Sequence, residues 1–356
     1  MSRVRDLASI LTASSSIATD TEVSAVSAQI PANVAGKNYL INGGFDFWQR
    51  GTSYSMTASW AYGAPDRWGI QQYPTGGACT LSRSTDVPGG AIYSLKMQRT
   101  ASSTNTSSMG IMQCVESSNA ILLQGKTVTL SFWAKAGANF SGGSLNAKIQ
   151  TGTVADQELG LANGSYTGNI VAANTSPLIT TTWTRYSVSV TLASNIKEIS
   201  VNINWAGTGT AGADDSVYIS NVQLEQSSVV TDFSRAGGNL VGELVACQRY
   251  YCKSYNLEIA PGTSSAFGVV MGLASNSSYI ATSLRFPVEM RVRPSMSLYS
   301  QIGTLNKVSA SGAIDSANTG AFDTNVVGSG AAGGVSVSGL TTSQFYYYHY
   351  VASAEL

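Results

Sequence analysis

The sequence predicts an all-β chain: a jelly-roll sandwich, then a smaller C-terminal β-sandwich, with a short α-helical arm in front. Three observations predict it. Apolar and polar residues alternate with a period of two over many short stretches, the pattern of strands with one face on a core. Clusters rich in glycine, such as Gly76-Gly77, Pro88-Gly89-Gly90, Gly142-Gly143 and Gly207–Gly212, separate those stretches. Strands spaced at roughly 8–12 residues with such turns between them argue for a sandwich.

Residues 1–36 form the arm. Val4, Leu7, Ile10 and Leu11 have helical spacing. Thr19-Asp20-Thr21-Glu22 is a capping box, which opens a second short helix carrying Val23, Val26 and Ile30. Pro31 and Gly36 end it. The apolar stripes are narrow and call for a partner helix, so the arm is expected to serve assembly or anchoring.

Residues 37–235 form the jelly roll. Val128, Leu130, Phe132 and Ala134 alternate with Thr129, Ser131, Trp133 and Lys135. Tyr186–Leu192, Ile199–Trp205 and Ser94–Gln98 alternate in the same way. The last strand starts with Val217 and Ile219 inward. Its apolar set then changes parity to Val222 and Leu224, which one extra residue near Asn221 would produce as a β-bulge. After polar Ser227–Arg235, Gly237-Gly238 permits a sharp redirection.

Residues 236–356 form the second unit. Leu244–Tyr255, Ser265–Leu273, Tyr279–Val292, Ser295–Tyr299 and Gln344–Leu356 read as strands. Ser309–Leu340 is built almost wholly of small residues. It suits either loops or thin strands packed too closely for bulky side chains.

Composition excludes several roles. Of 356 residues, 20 are Lys or Arg and 20 are Asp or Glu, a formal net charge of zero. No global field therefore favours nucleic acid or an anionic membrane. Charged residues make up 11%, against about 25% in ordinary soluble domains, so Ser, Thr, Asn and Gln carry the surface. With 17 Tyr, 9 Phe and 6 Trp the chain is not of disordered type. No stretch approaches the ~20 apolar residues of a membrane helix, and no long apolar run follows Arg3 and Arg5, so no signal peptide is expected. Cys79, Cys114, Cys247 and Cys252 have no zinc spacing. They are expected to be buried free thiols, a Cys79–Cys114 bridge being the alternative. GxSxG, HExxH and phosphate-loop motifs are absent, and a single histidine, His349, offers no ordinary Ser-His or Cys-His pair, so no catalytic residue is assigned. Asp214-Asp215 lies in a glycine-rich stretch and reads as part of a turn.

Several segments resemble a known family. Asn38–Gly51 (NYLINGGFDFWQRG) with Asp66-Arg67-Trp68, Gly125–Ala134, Thr182–Val188 and Asn221–Phe233 resemble the carbohydrate-binding-module-like jelly roll of bacteriophage tail fibre and other virion appendage proteins. Glu243–Tyr251 (ELVACQRYY) is similar to the linker that follows it. Phe286–Pro294 and Ala354-Glu355-Leu356 are similar to the small domain after that. The resemblance implies a structural virion protein, made in the host cytoplasm and assembled as a homotrimer. It would meet other virion proteins through residues 1–36 and touch host-surface glycan. The alternatives are a monomeric carbohydrate-binding protein and a polysaccharide depolymerase. The resemblance also implies a possible structural calcium between opening and closing strands, at Asp46 and Asn221 or Glu225. The other fate of such a carboxylate is a bond to backbone or to Arg50 or Arg67. For glycan, Trp60, Tyr62 and Tyr73 flank loops outside any clean alternation and are the candidates, because sugar C–H faces stack on aromatic rings. Trp48, Trp68 and Trp205 are expected in the core.

Overall fold

A computed structural model describes residues 35–56, 60–63, 65–73, 79–157, 167–311, 314–322 and 326–355. The helices and capping box anticipated in residues 1–34 lie outside the described residues.

Among the described residues, twelve strands build a two-layer sandwich. They are β1 (Ser53–Ser55), β2 (Trp60–Ala61), β3 (Gly69–Tyr73), β4 (Cys79–Ser84), β5 (Ser94–Arg99), β6 (Ser108–Val115), β7 (Thr127–Ala136), β8 (Asn146–Gly152), β9 (Ile170–Thr175), β10 (Thr184–Thr191), β11 (Glu198–Ala206) and β12 (Ser216–Glu225). One sheet has the order β1-β4-β5-β12-β7-β10 and the other β2-β3-β6-β11-β8-β9. Sequential strands sit in opposite sheets at most crossings, the winding of a jelly roll. The core between the layers takes the alternating residues the sequence marks: Val128, Leu130 and Phe132 from β7, and Ile199, Val201, Ile203 and Trp205 from β11. Each such buried side chain contributes roughly 1.5–3 kcal/mol over its exposed state. Trp48 and Trp68 are buried at the entry to the same core.

The parity change in β12 is a bulge. Its pairing with β7 shifts between Ser220 and Gln223, and Asn221 takes φ +49°. Asparagine is among the few side chains that accept this left-handed region readily. Val217, Ile219, Val222 and Leu224 consequently all reach the core.

Asp215 does more than turn the chain. It is fully buried against Arg99, Nη1 to Oδ2 2.6 Å. The rest of the guanidinium donates to the carbonyls of Asn105 and Gly209, and to Ser141 Oγ. One arginine thus ties three loops at one end of the sandwich.

At another edge β11 begins with buried Glu198. Burial, then the neighbouring Asp156 charge, push its carboxyl up to about 7, and bonds from Ser117 and nearby backbone only partly oppose this. Its Oε1 has no hydrogen-bond partner among the described residues. A raised folded-state pKa means that the native state holds the proton more tightly than the unfolded chain. The stabilisation is full below the unfolded carboxylate range and is lost as pH climbs through about 7. Glu198→Gln removes that loss. The variant is expected to melt roughly 2–4 °C above wild type at pH 8, the equivalent of about 1 kcal/mol, and level with it at pH 4. Melting curves at the two pH values check this.

The third sheet has ten strands, all after β12. Its hub is Phe345–Ser353. On one side this strand pairs with Tyr251–Lys253 and Val270–Asn276, on the other with Ser295–Ser300 and Ser309–Ala310. Tyr346, Tyr348, Tyr350 and Ala352 point to one side and line two adjoining apolar clusters inside the curl of the sheet. The small-residue stretch includes the strand Gly330–Val337, paired with Tyr279–Arg285. A Cβ at Gly330 would lie 2.2 Å from the Leu284 carbonyl oxygen, and one at Gly334 2.0 Å from that of Ile280. Thin residues are needed there by the strand's own neighbour.

The expectation of a strand over Leu244–Tyr255 is corrected. Leu240–Gln248 is an α-helix, and the strand starts only at Tyr251. Asn239 caps it by accepting from Gly242 N at 2.9 Å, and Glu243 sits in its first turn. Gly238, at φ +77°, makes the redirection into the cap. All four cysteines are buried free thiols.

Candidate functional site

Asn38–Gly51, Asp66-Arg67-Trp68, Glu243–Tyr251 and the chain's terminal Ala354-Glu355 meet at one place, a buried joint between the sandwich and the third sheet. Asn42, at φ +58°, organises the first of them. Its amide donates to the carbonyls of Phe47 and Asp66, and its Oδ1 accepts from Phe47 N. Trp68 Nε1 donates to the Asn42 carbonyl at 3.0 Å. The two motifs Asn38–Gly51 and Asp66-Arg67-Trp68 are therefore one folded unit.

The linker and the chain's last residues lock onto that unit. Glu243 of the helix accepts from Asn42 N and from Gly237 N. Gln49 donates to the Tyr251 carbonyl and to Asp66. Lys253 reaches back to the Gln49 carbonyl at 2.6 Å. Arg50 and Arg67 both bind the carboxylate of Glu355, the first at 2.8 Å. Their guanidinium planes lie over the rings of Tyr251, at 3.7 Å, and Tyr250, at 3.5 Å. Such stacking suits arginine, whose flat, weakly hydrated cation tolerates burial better than an ammonium. Tyr250 also donates to Glu116 at 2.8 Å, beside Arg249.

Burial sets the protonation of the joint. It pushes the Asp66 carboxyl up to about 6 against the pull of Arg50 and the Gln49 hydrogen bonds. It lowers the Lys253 ammonium to about 8, with the Asp66 and Glu258 charges opposing. The joint is built to be permanent: its charges are enclosed, paired and capped by aromatic rings.

The residues expected to meet glycan fall partly on this joint. Trp60 and Tyr62 pack edge to face, ring centroids 4.8 Å apart, both half-buried. Trp60 lies on Gly69 and joins an apolar cluster of Met112, Cys114 and Tyr250. Tyr62 sits beside Arg50, and burial followed by the Glu355 charge raises its phenol well above the usual value. Both rings thus support the joint as well as the sheet edge. The Tyr73 backbone ends β3, and its side chain lies outside the described residues.

Of the positions considered for calcium, Asp46 and Glu225 are engaged by protein donors, and Asn221 sits on the bulge of β12. Asp46 receives a two-pronged bond from Arg235, Nε to Oδ2 2.8 Å and Nη2 to Oδ1 3.1 Å. Glu225 accepts from Thr231 N and from Gln223 Nε2. Among the described residues no group of three or more His, Cys, Asp or Glu comes together. Calcium needs several uncommitted oxygens, so this donor set does not fit it as arranged. The partner of Asp46 is Arg235, neither backbone nor Arg50 nor Arg67.

His349 does find a serine, contrary to the expectation that one histidine leaves no such pair. Its Nδ1 is 2.9 Å from Ser254 Oγ, and its Nε2 3.0 Å from the Ser265 carbonyl. The ring is fully buried and stacked on Tyr255 at 3.6 Å, and Ser254 Oγ also accepts from Tyr350 N. Here the pair straps two loops to the hub strand.

No protein-family model matches the sequence, and no curated protein does. Solved structures share its outline. The enzymatically active domain of tailspike protein 4 of bacteriophage CBA120 is 16% identical over 54% of this chain, with TM-score 0.33; the match spans 22% of the tailspike chain. A CBM4 module is 21% identical, covers 52% of this chain and 98% of its own, with TM-score 0.33. The CBM22-1 xylan-binding domain of Paenibacillus barcinonensis Xyn10C is 10% identical, covers 55% and 98%, with TM-score 0.31. Likenesses this distant carry no functional argument; the all-β sandwich stands on its own topology.

Proposed function

We propose that the chain is a non-enzymatic structural protein of a bacteriophage virion, a homotrimeric fibre or its tip, held through residues 1–36 and touching host-surface glycan. The observation that carries this reading is the joint. Every segment of the opening, linker and terminal motifs that can be described converges on it. Its work is to hold two β-units as one body, what a load-bearing fibre needs and a free binding module does not.

A second feature supports assembly. Met271, Leu273 and Phe345 project from paired strands of the third sheet on the side away from its core, and are 54%, 42% and 48% exposed. An apolar sheet face of this kind suits a neighbouring copy in a closed ring.

The full chain, applied to polysaccharides from candidate bacterial surfaces, is expected to be retained on at least one of them without releasing reducing ends. Release of reducing sugar would replace this reading with a depolymerase. Retention on none would remove the glycan contact from it.

A further inference from the structure

A pocket lies on the outer face of the sheet that holds β7, β10 and β12, away from Trp60 and Tyr62. Its volume is about 350 Å³, and Trp133, Arg185, Asn221, Asp232, Phe233 and Arg235 line it, below the glycine turn at 89–90. The size falls at the lower end of the roughly 300–1,000 Å³ typical of small-ligand sites, enough for one sugar residue.

The strands place these groups deliberately. Trp133 lies opposite Ser220 on one side and Arg185 on the other. Its neighbours Phe132 and Ala134 fill the core, so the indole must face out. The bulge brings Asn221 to the same spot. Asn221, on that bulge, is 5% exposed overall and lines the pocket. Arg185 spends Nη2 on Ser131 Oγ and the Thr231 carbonyl, while its Nε is buried without a partner. A buried donor left unpaired this way is rare in folded proteins and calls for an explanation.

Charge decides the kind of ligand. Arg235 is matched by Asp46, and the Arg185 charge is opposed first by Glu225 and then by Asp232, so no net positive charge is left in the pocket. The Asn221 amide, the Arg185 guanidinium, the exposed Asp232 carboxylate and two aromatic rings complement a neutral pyranose. Adjacent hydroxyls both give and accept hydrogen bonds, and the C–H face stacks on an indole. We propose that this pocket binds one neutral sugar residue of a surface polysaccharide, with Trp133 and Phe233 as the stacking platform and Arg185, Asn221 and Asp232 bonding its hydroxyls. The inference rests on the glycan-contact reading above and deepens it.

The test uses the full chain and a set of neutral methyl glycosides, of glucose, galactose, mannose and N-acetylglucosamine, with the corresponding uronides as controls. Saturation-transfer NMR and tryptophan fluorescence are the readouts. At least one neutral glycoside is expected to bind with a millimolar Kd, and its uronide no more tightly. Asp232→Asn, an exposed change that leaves the fold alone, and Arg185→Met are each expected to weaken binding about tenfold, the factor of one lost hydrogen bond. Trp133→Ala is expected to abolish the fluorescence response. The proposal is overturned if no neutral glycoside binds, if the uronides bind more tightly, or if Asp232→Asn and Arg185→Met bind like wild type. Polysaccharide retention that survives all three variants keeps the glycan reading and removes this pocket from it.

Discussion

Glu355→Ala is expected to lower the melting temperature of the full chain by roughly 5–10 °C, about 3 kcal/mol. The carboxylate is the shared partner of Arg50 and Arg67, whose side chains are 10% and 1% exposed. Removing it leaves Arg67 inside the joint without a carboxylate partner among the described residues, and Arg50 with only Asp66, at 3.8 Å. Breaking a buried ion pair from one side is far costlier than never having built it, because the orphaned charge stays desolvated. The value sits at the low end of the usual range because water can follow the freed chain end inward. Arg67 keeps its bond to the Cys114 carbonyl, and both arginines keep their tyrosine rings. Calorimetry should also show the third sheet melting ahead of the sandwich in the variant, where wild type melts as one unit. An unchanged melting profile would mean that the joint is held by packing and backbone bonds alone.

Arg99→Leu is expected to cost about 3–5 kcal/mol, the largest effect of any single change in the sandwich. Both partners of the Arg99–Asp215 pair are fully enclosed. The substitution takes the arginine from the Asp215 carboxylate and from four carbonyls that now accept from the guanidinium, those of Ser103, Asn105, Thr208 and Gly209. Arg99→Leu combined with Asp215→Leu is expected to recover part of the loss, since no lone charge remains. Recovery stays partial, because Ser141 N and Oγ both bond Asp215 and lose that acceptor. Denaturant titration of the two variants measures this; a double variant weaker than the single one would contradict it.

The sandwich was legible in the sequence because strand parity is a local signal. The bulge at Asn221 follows from two apolar pairs on opposite parities, and the buried place of Trp205 follows from the apolar parity of its strand, while those of Trp48 and Trp68 follow from the motifs they stand in. The helix Leu240–Gln248 was not legible: Leu244, Val245, Ala246 and Cys247 are apolar in a row, and such a run fits strand and helix alike. Its cap, Asn239, was the signal that separates them. Long-range pairings were beyond reach. Arg235 finds Asp46 across 189 positions and Glu355 finds Arg50 across 305, and nothing local marks either choice. The outer pocket was half visible. Trp133 stands on the polar parity of its strand, the place for a ring that serves the surface, and only the fold sets Arg185 and Asn221 beside it.

The measurement that tests the fibre reading most directly is the mass of the full chain in solution by light scattering. Three chains per particle, stable on dilution, is the expected result. A single chain at all concentrations would contradict the fibre and leave a carbohydrate-binding protein whose two β-units are merely joined.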